Sequence, residues 1–150
     1  MSTTLLIRDA RWRRLRGLGP RLKRAVREAL AEGGAADRTE LTLLLTTDRQ
    51  LRNLNRSFRG KDKPTNVLSF PCGGDGGYLG DVAIAYGVTA REARASGRKT
   101  ADHAVHLAVH GVLHLLGYDH ITPRQASRME PKEVRVLARL AIADPYRNHA

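Results

Sequence analysis

The sequence predicts an α+β fold: a small mixed sheet of about four strands, packed with helices around a central, buried helix. Three observations predict it. Short strand-like segments concentrate before the helices of the second half, at residues 4–7, 40–47, 66–70 and 78–85. Helical spacing dominates the second half. Within it, residues 101–116 carry Val105, Leu107, Val109, Val112, Leu113, Leu115 and Leu116, apolar on most sides. A helix of that kind belongs in the middle of a domain.

Each element has a local reason. Residues 4–7 form a short apolar strand. Residues 21–31 place Leu22, Ala25, Val26, Ala29 and Leu30 at helical spacing, after Pro20 and before Gly33-Gly34. Residues 40–47 alternate, with Leu41, Leu43 and Leu45 on one face. Asp48 is expected to cap a helix that runs through Leu51 and Leu54 to about Asn55. Residues 60–65 read as a loop, followed by a strand at 66–70 that Pro71 ends. Residues 73–77 are a glycine-rich connection without the Walker spacing of a phosphate loop. A strand at 78–85 follows. Thr89 and Glu92 suggest a capping box for a helix to about Ser96. After the apolar helix, Thr122, Pro123 and Gln125 start a last helix. Pro131 is expected to kink or restart it, and Val134, Leu137, Leu140 and Ala141 continue its apolar face. The 150 residues make one domain of ordinary size, with a basic strand region at 1–20 and a flexible tail at 143–150.

Composition narrows the function classes. Cys72 is the single cysteine, so neither an intrachain disulfide nor a cysteine zinc site can form, which fits a reducing cytoplasm. No run approaches the roughly 18 apolar residues of a membrane span. The first residues lack the apolar core of a signal peptide. The net charge is +11, and it is uneven. Residues 1–63 hold 16 basic and 7 acidic side chains; residues 64–150 hold 10 and 8. Clusters at Arg11-Arg13-Arg14-Arg16, Arg21-Lys23-Arg24-Arg27 and Arg56-Arg59-Lys61-Lys63 point to a polyanion partner. Aromatic residues are 5% of the chain, so base stacking on an aromatic platform is not the expected mode.

Histidine placement carries the chemistry. Five of the six histidines lie between His103 and His120. His110 and His114 are one helical turn apart, so both imidazoles can reach one point. Gly117 lets the helix stop, and the turn through Tyr118 and Asp119 can return His120 to that point. Three neutral imidazoles suit Zn2+ and leave a fourth position open, as in a catalytic site; nickel, cobalt or copper could also be held. His103 and His106 share the face but lie upstream, where they orient neighbours or pack. Asp119 either accepts a histidine N–H or caps its own turn. Tyr118 is expected to pack, Thr65, Asn66 and Ser69 to line the cleft, and Asp81 to serve a turn. Gly111 stands where a zinc protease carries its glutamate base, which disfavours peptide hydrolysis. Glycine inside a helix costs about 1 kcal/mol against alanine. Room for a bulky substrate group beside the metal is the expected return.

The string HGVLHLLGYDH, from His110 to His120, resembles the signature of the YbeY family of bacterial endoribonucleases and rRNA maturation factors. Two further blocks share the resemblance: LNRSFRGKDKPTNVLSFP, from Leu54 to Pro71, and LGDVAIA, from Leu79 to Ala85. Together they span about residues 40 to 140. The resemblance implies a zincin-like arrangement around the histidine helix. It also implies a single-strand-specific, metal-dependent endoribonuclease acting in 16S rRNA 3′ end maturation and ribosome quality control. Its metal ligands map onto His110, His114 and His120, and its functional arginine onto Arg59. His103, Ala85, Asn66 and Pro131 depart from the family's usual residues without touching the three ligands.

The mechanism expected from these residues is attack on a phosphodiester by metal-activated water, or metal-assisted attack by the RNA 2′-hydroxyl. His114 and Arg59 are the expected catalytic residues. The Arg59 guanidinium matches phosphate oxygens, and its place in a loop would display it; a salt bridge with Asp62 or Asp81 is the alternative. Single-stranded rRNA and the small ribosomal subunit are the expected partners. Two other functions fit less well: a metallohydrolase acting on a peptide or small amide, and a ribosome-binding factor whose metal is structural.

Overall fold

The computed structural model describes residues 2–72 and 77–146. Strand β1 (Ser2–Ile7) leads through a 3-10 turn (Ala10–Arg14) into helix α1 (Leu18–Glu32). Strand β2 (Glu40–Thr46), helix α2 (Asp48–Arg59), and strands β3 (Val67–Pro71) and β4 (Tyr78–Ala85) follow. Helices α3 (Tyr86–Ala95), α4 (Thr100–Leu115) and α5 (Pro123–Arg139) complete the chain. The four strands form one mixed sheet in the order β1-β2-β4-β3, with β3 the antiparallel member. Among the described residues, no helix is long and apolar enough to cross a membrane.

The main core lies between one sheet face and helices α1, α4 and α5. Leu41, Leu43, Leu45, Val82 and Ile84 of the sheet meet Leu22, Val26 and Leu30 of α1, and Val109, Val112 and Leu113 of α4. Burial at this scale is the dominant favourable term in folding. A smaller cluster of Leu51, Leu68, Ala83 and Ala85 seats α2 on the opposite face. Helix α4 is therefore buried between sheet and helices, and its apolar girdle has that cause. Outside the core, Arg139 reaches Glu28 and Glu32 at 3.0 Å and Arg135 reaches Glu32 at 3.2 Å, which clasps α5 onto α1. These arginines draw the Glu32 carboxyl below its usual range, against the opposing effect of burial.

Four local expectations change. Thr47, not Asp48, caps α2, accepting the Gln50 N–H at 3.1 Å. Asp48 instead accepts the Val88 N–H at 3.0 Å and so caps α3 from 40 residues away. With that donor served, the Thr89-Glu92 capping box does not form: Thr89 is buried within α3 and donates its hydroxyl to the Ala85 carbonyl. Helix α2 runs four residues further than expected, to Arg59. Its last turn closes at Gly60, whose left-handed φ of 69° lets Lys61 N–H reach back to the Asn55 carbonyl. Helix α5 passes through Pro131 without a restart and ends at Arg139, before the expected Leu140 and Ala141. Its predicted start holds, with a complete Thr122/Gln125 capping box.

The glycine-rich connection lies outside the described residues except for Gly77. The segment expected as a flexible tail carries Tyr146 onto Glu133 through a hydroxyl hydrogen bond, so through Tyr146 the chain is docked. Residues 147–150 lie outside the described residues.

Candidate metal centre

The C-terminal half of α4 opens onto a cleft of about 950 Å³. His110 and His114 project into it from successive turns. Gly117, at φ 98°, reverses the chain at a conformation that side-chain-bearing residues rarely adopt, and His120 returns beside them. Ring centroids are 4.7 Å apart for His110 and His114, and 4.8 Å for His110 and His120. One ring nitrogen from each of the three falls within 4.8 Å of the others. His114 Nε2 and His120 Nδ1 are 3.3 Å apart. Two nitrogens each about 2.0–2.1 Å from a tetrahedral zinc would be separated by about 3.3–3.4 Å. Burial, and then the charge of His110, push the His114 imidazole down to about 4, so at neutral pH the ring is uncharged and one of its nitrogens is free to ligate. The donor set and its spacing fit a metal.

Behind His110 stands a residue that sequence reasoning did not single out. Glu133, from the middle of α5, is fully buried. Its Oε1 meets His110 Nδ1 at 2.5 Å, and its Oε2 meets His106 Nε2 at 3.1 Å and the Tyr146 hydroxyl. Burial alone would raise this carboxyl. Hydrogen bonds from His106 and His110 prevail and bring it down to about 2. An ionised carboxylate only accepts, so His110 Nδ1 and His106 Nε2 both carry protons. With Nδ1 bound to Glu133, Nε2 is the His110 nitrogen left facing the cleft. His106, His110 and Glu133 also lie close enough to hold an ion. A 2.5 Å separation is that of a hydrogen bond, however, not of two ligands on one metal.

The chain of hydrogen bonds continues away from the cleft's open end. Arg98 Nη1 donates to His106 Nδ1 at 3.5 Å and to His103 Nδ1 at 3.2 Å, and His103 Nε2 donates to Glu92 at 2.9 Å. Both ring nitrogens of His103 and His106 are engaged. Asn66 Nδ2 donates to the same Glu92 oxygen at 3.0 Å, which ties the start of β3 to this network.

Arg59 lines the cleft from the last residue of α2, not from a loop as expected. The salt bridges considered for it are absent among the described residues. Asp62 pairs with Arg52 at 2.9 Å and with Arg56 at 3.8 Å, and Asp81 accepts the Tyr78 hydroxyl. Thr65, Asn66 and Ser69 line the cleft. Asp119 accepts the His120 backbone N–H at 2.7 Å, which caps the turn, and stands 3.8 Å from His120 Nδ1. Tyr118 packs against the core, with Lys132 over its ring.

Gly111 has a different reason from the expected one. A Cβ there would lie 2.6 Å from Val82 Cγ1 and 3.2 Å from Ser69 Oγ. The glycine faces the sheet, where Ser69 Oγ donates to its carbonyl at 2.9 Å. It lets α4 approach β3 and β4 closely; it does not make room beside the metal.

A family model described as Endoribonuclease YbeY matches residues 14–141. The chain belongs to the YbeY family. An Endoribonuclease YbeY from Halorhodospira halophila is 50% identical over 126 residues, covering 79% of this chain and 79% of the relative. A Bordetella avium relative of the same description is 49% identical over 138 residues, covering 91% and 84%. One from Erythrobacter litoralis is 44% identical over 150 residues, covering 92% and 91%. The solution structure of TM1509 from Thermotoga maritima superposes with a TM-score of 0.57 at 22% identity, over 97% of this chain and 99% of that one. That likeness supports the fold. The YbeY match takes in His110, His114, His120, Arg59 and Glu133; Tyr146 lies beyond it.

Proposed function

We propose that this YbeY-family chain is a metal-dependent endoribonuclease that cuts single-stranded RNA in rRNA processing, including the 3′ end of 16S rRNA. The observation that carries the reading is the convergence of ring nitrogens from His110, His114 and His120 on a cleft that Arg59 also lines, with no ion pair to Arg59 among the described residues. That substrate places its work in the cytoplasm and on the small ribosomal subunit.

His110, His114 and His120 would hold the metal. Zn2+, the ion that three imidazoles suit best, would supply Lewis acidity and lower the pKa of water there. Glu133 fixes the His110 tautomer and ring orientation, and His106 supports Glu133 in turn. Arg59 pairs with the phosphodiester oxygens and stabilises the charge that grows on them. Asp119 holds the turn that returns His120. Glu133 already accepts three hydrogen bonds, so it does not replace the glutamate base that Gly111 displaces. A peptide substrate therefore lacks its usual proton acceptor here.

The test compares the native chain with His114→Ala for bound metal, thermal stability, and cleavage of single-stranded RNA, duplex RNA and casein. Metal-dependent cutting of single-stranded RNA, lost in a variant that still folds, is the expected result. Casein cleavage by the native chain would overturn it. RNA binding without cutting under any divalent metal would leave a ribosome-associated binding factor instead. An Arg59→Glu variant with bound metal and native cutting rates would remove Arg59 from the mechanism.

A further inference from the structure

A second hollow, of about 500 Å³, lies beside the start of α4. Arg14 and Arg16 enter it from the turn after β1, Arg94 from α3, and Arg98 and Lys99 from the α3–α4 connection. No ion pair with a carboxylate engages any of the five among the described residues. The carboxylates on the same elements are committed elsewhere: Asp9 to Arg11 at 2.6 Å, Asp102 to Arg21 at 2.7 Å, and Glu92 to His103 at 2.9 Å. Five cations around one concavity, with no close carboxylate partner among the described residues, repel one another, and an anion relieves that repulsion. Thr100, in the first turn of α4, lines the hollow as well, and no side chain caps that turn. Its free N–H groups add to the attraction.

Arg98 joins this hollow to the metal cleft. It lines the hollow, while its Nη1 touches His103 and His106 in the cleft and its Nη2 is buried without an acceptor. The ten to fourteen residues from Thr100 to His110 and His114 span about 15–21 Å of helix axis. An extended single strand covers that distance in several nucleotides. We propose that the hollow is a second phosphate-binding subsite, which holds the backbone of the RNA strand several nucleotides from the bond cut at the metal centre. This rests on the endoribonuclease reading above. It assigns length dependence to the enzyme: short substrates fill the cleft alone, and long ones gain the hollow.

The test uses the full-length, metal-loaded chain and its Arg16→Glu/Arg94→Glu variant; both residues are exposed and line only the second hollow. KM for a long single-stranded RNA should rise about tenfold with kcat unchanged, and cutting of a short oligonucleotide that fills only the cleft should stay native. The log–log salt dependence of long-RNA binding should become shallower by about 0.7 for each phosphate left unneutralised. Arg16→Lys/Arg94→Lys should restore both. Native KM and salt slope in the charge-reversed variant would overturn the proposal, as would an equal loss on short and long RNA. So would weakened binding of polyglutamate with RNA binding kept, which would mark an acidic protein as the partner. If the native chain cuts no RNA, the endoribonuclease reading fails, and the hollow is judged on long-RNA binding alone: weaker binding by the charge-reversed variant supports it, equal binding sinks it.

Discussion

The two halves of α4 carry histidines on one face, yet they do opposite things. In the N-terminal half, His103 and His106 have both ring nitrogens bonded, to Arg98 and to Glu92 or Glu133. In the C-terminal half, His110 spends only Nδ1, on Glu133, and His114 meets His120, which returns from the turn after the helix. The residue type is the same; the partners differ. A saturated histidine serves as a strut, and an unsaturated one is left available to a metal. His110 belongs to both groups, so the network reaches the metal centre through one imidazole.

The largest expected effect is at the open end. His114→Ala should bring bound metal to background while the metal-free chain keeps its unfolding midpoint, because the side chain borders an open cleft and leaves no closed cavity. Metal content and calorimetry on the same sample check it. A collapse of the metal-free fold would show that the two halves are not separable.

Glu133 is the next point of attack, and it should fail differently. Glu133→Ala strands two buried imidazole N–H groups and the Tyr146 hydroxyl, at about 3–5 kcal/mol of stability. Metal affinity should fall with it, about 10–100-fold. Glu133→Gln retains the shape and should recover most of the stability but not the affinity, since an amide cannot accept from both histidines as a carboxylate does. Denaturant titration and competition with a chelator separate the two. Equal recovery of both would reduce Glu133 to a packing residue.

Gly111→Ala distinguishes close packing from substrate room. The added methyl meets Val82 at 2.6 Å, so overpacking of about 1–3 kcal/mol should outweigh the helix-propensity gain of about 1 kcal/mol. A lower unfolding midpoint with native KM is the expected pair of results. A stabilised chain with raised KM would restore the substrate-room explanation.

The smallest effect concerns the clasp that holds α5, and hence Glu133, in place. Glu32 is held below its ordinary carboxylate range by Arg135 and Arg139. Its folded-state pKa lies below the unfolded one. The clasp therefore stabilises fully above the ordinary carboxylate pKa, and that contribution is lost as pH falls through the lowered value. The pairs are partly exposed, so the loss should stay under about 1 kcal/mol. Glu32→Gln should flatten this acid limb in a pH series of unfolding midpoints, with metal affinity at neutral pH unchanged. A loss of affinity would mean that the clasp, more than the buried network, sets the position of Glu133.

Much of this was legible in the chain. Strand β4 falls at the predicted residues, and α4 and the start of α5 lie within one residue of expectation. Their signals are local: alternation, an apolar girdle, and a threonine three residues before glutamine. The errors share one cause. Asp48 looked like the cap of its own helix and became the cap of another; Thr89 and Glu92 looked like a capping box and were released by it. Arg59 looked like a loop residue because Gly60 was read as the start of the loop rather than the end of the helix. Glu133 had a faint signal, one of two carboxylates in the last helix, and nothing nearby to show that it, rather than Glu130, faced inward.

The sequence by itself determined the histidine triad, because a four-residue step on a helix and a glycine reversal are set by covalent geometry and backbone sterics. It also determined the family, through three blocks in order. Tertiary structure alone decided which histidines are free. Glu133 is 23 residues from His110 and 27 from His106, and only the crossing of α5 over α4 brings one carboxylate between them. Tertiary structure also decided why residue 111 is glycine, since the obstructing methyl belongs to Val82 on the sheet. Short-range geometry can be read along the chain; which groups remain unpaired depends on what packs against them from far away.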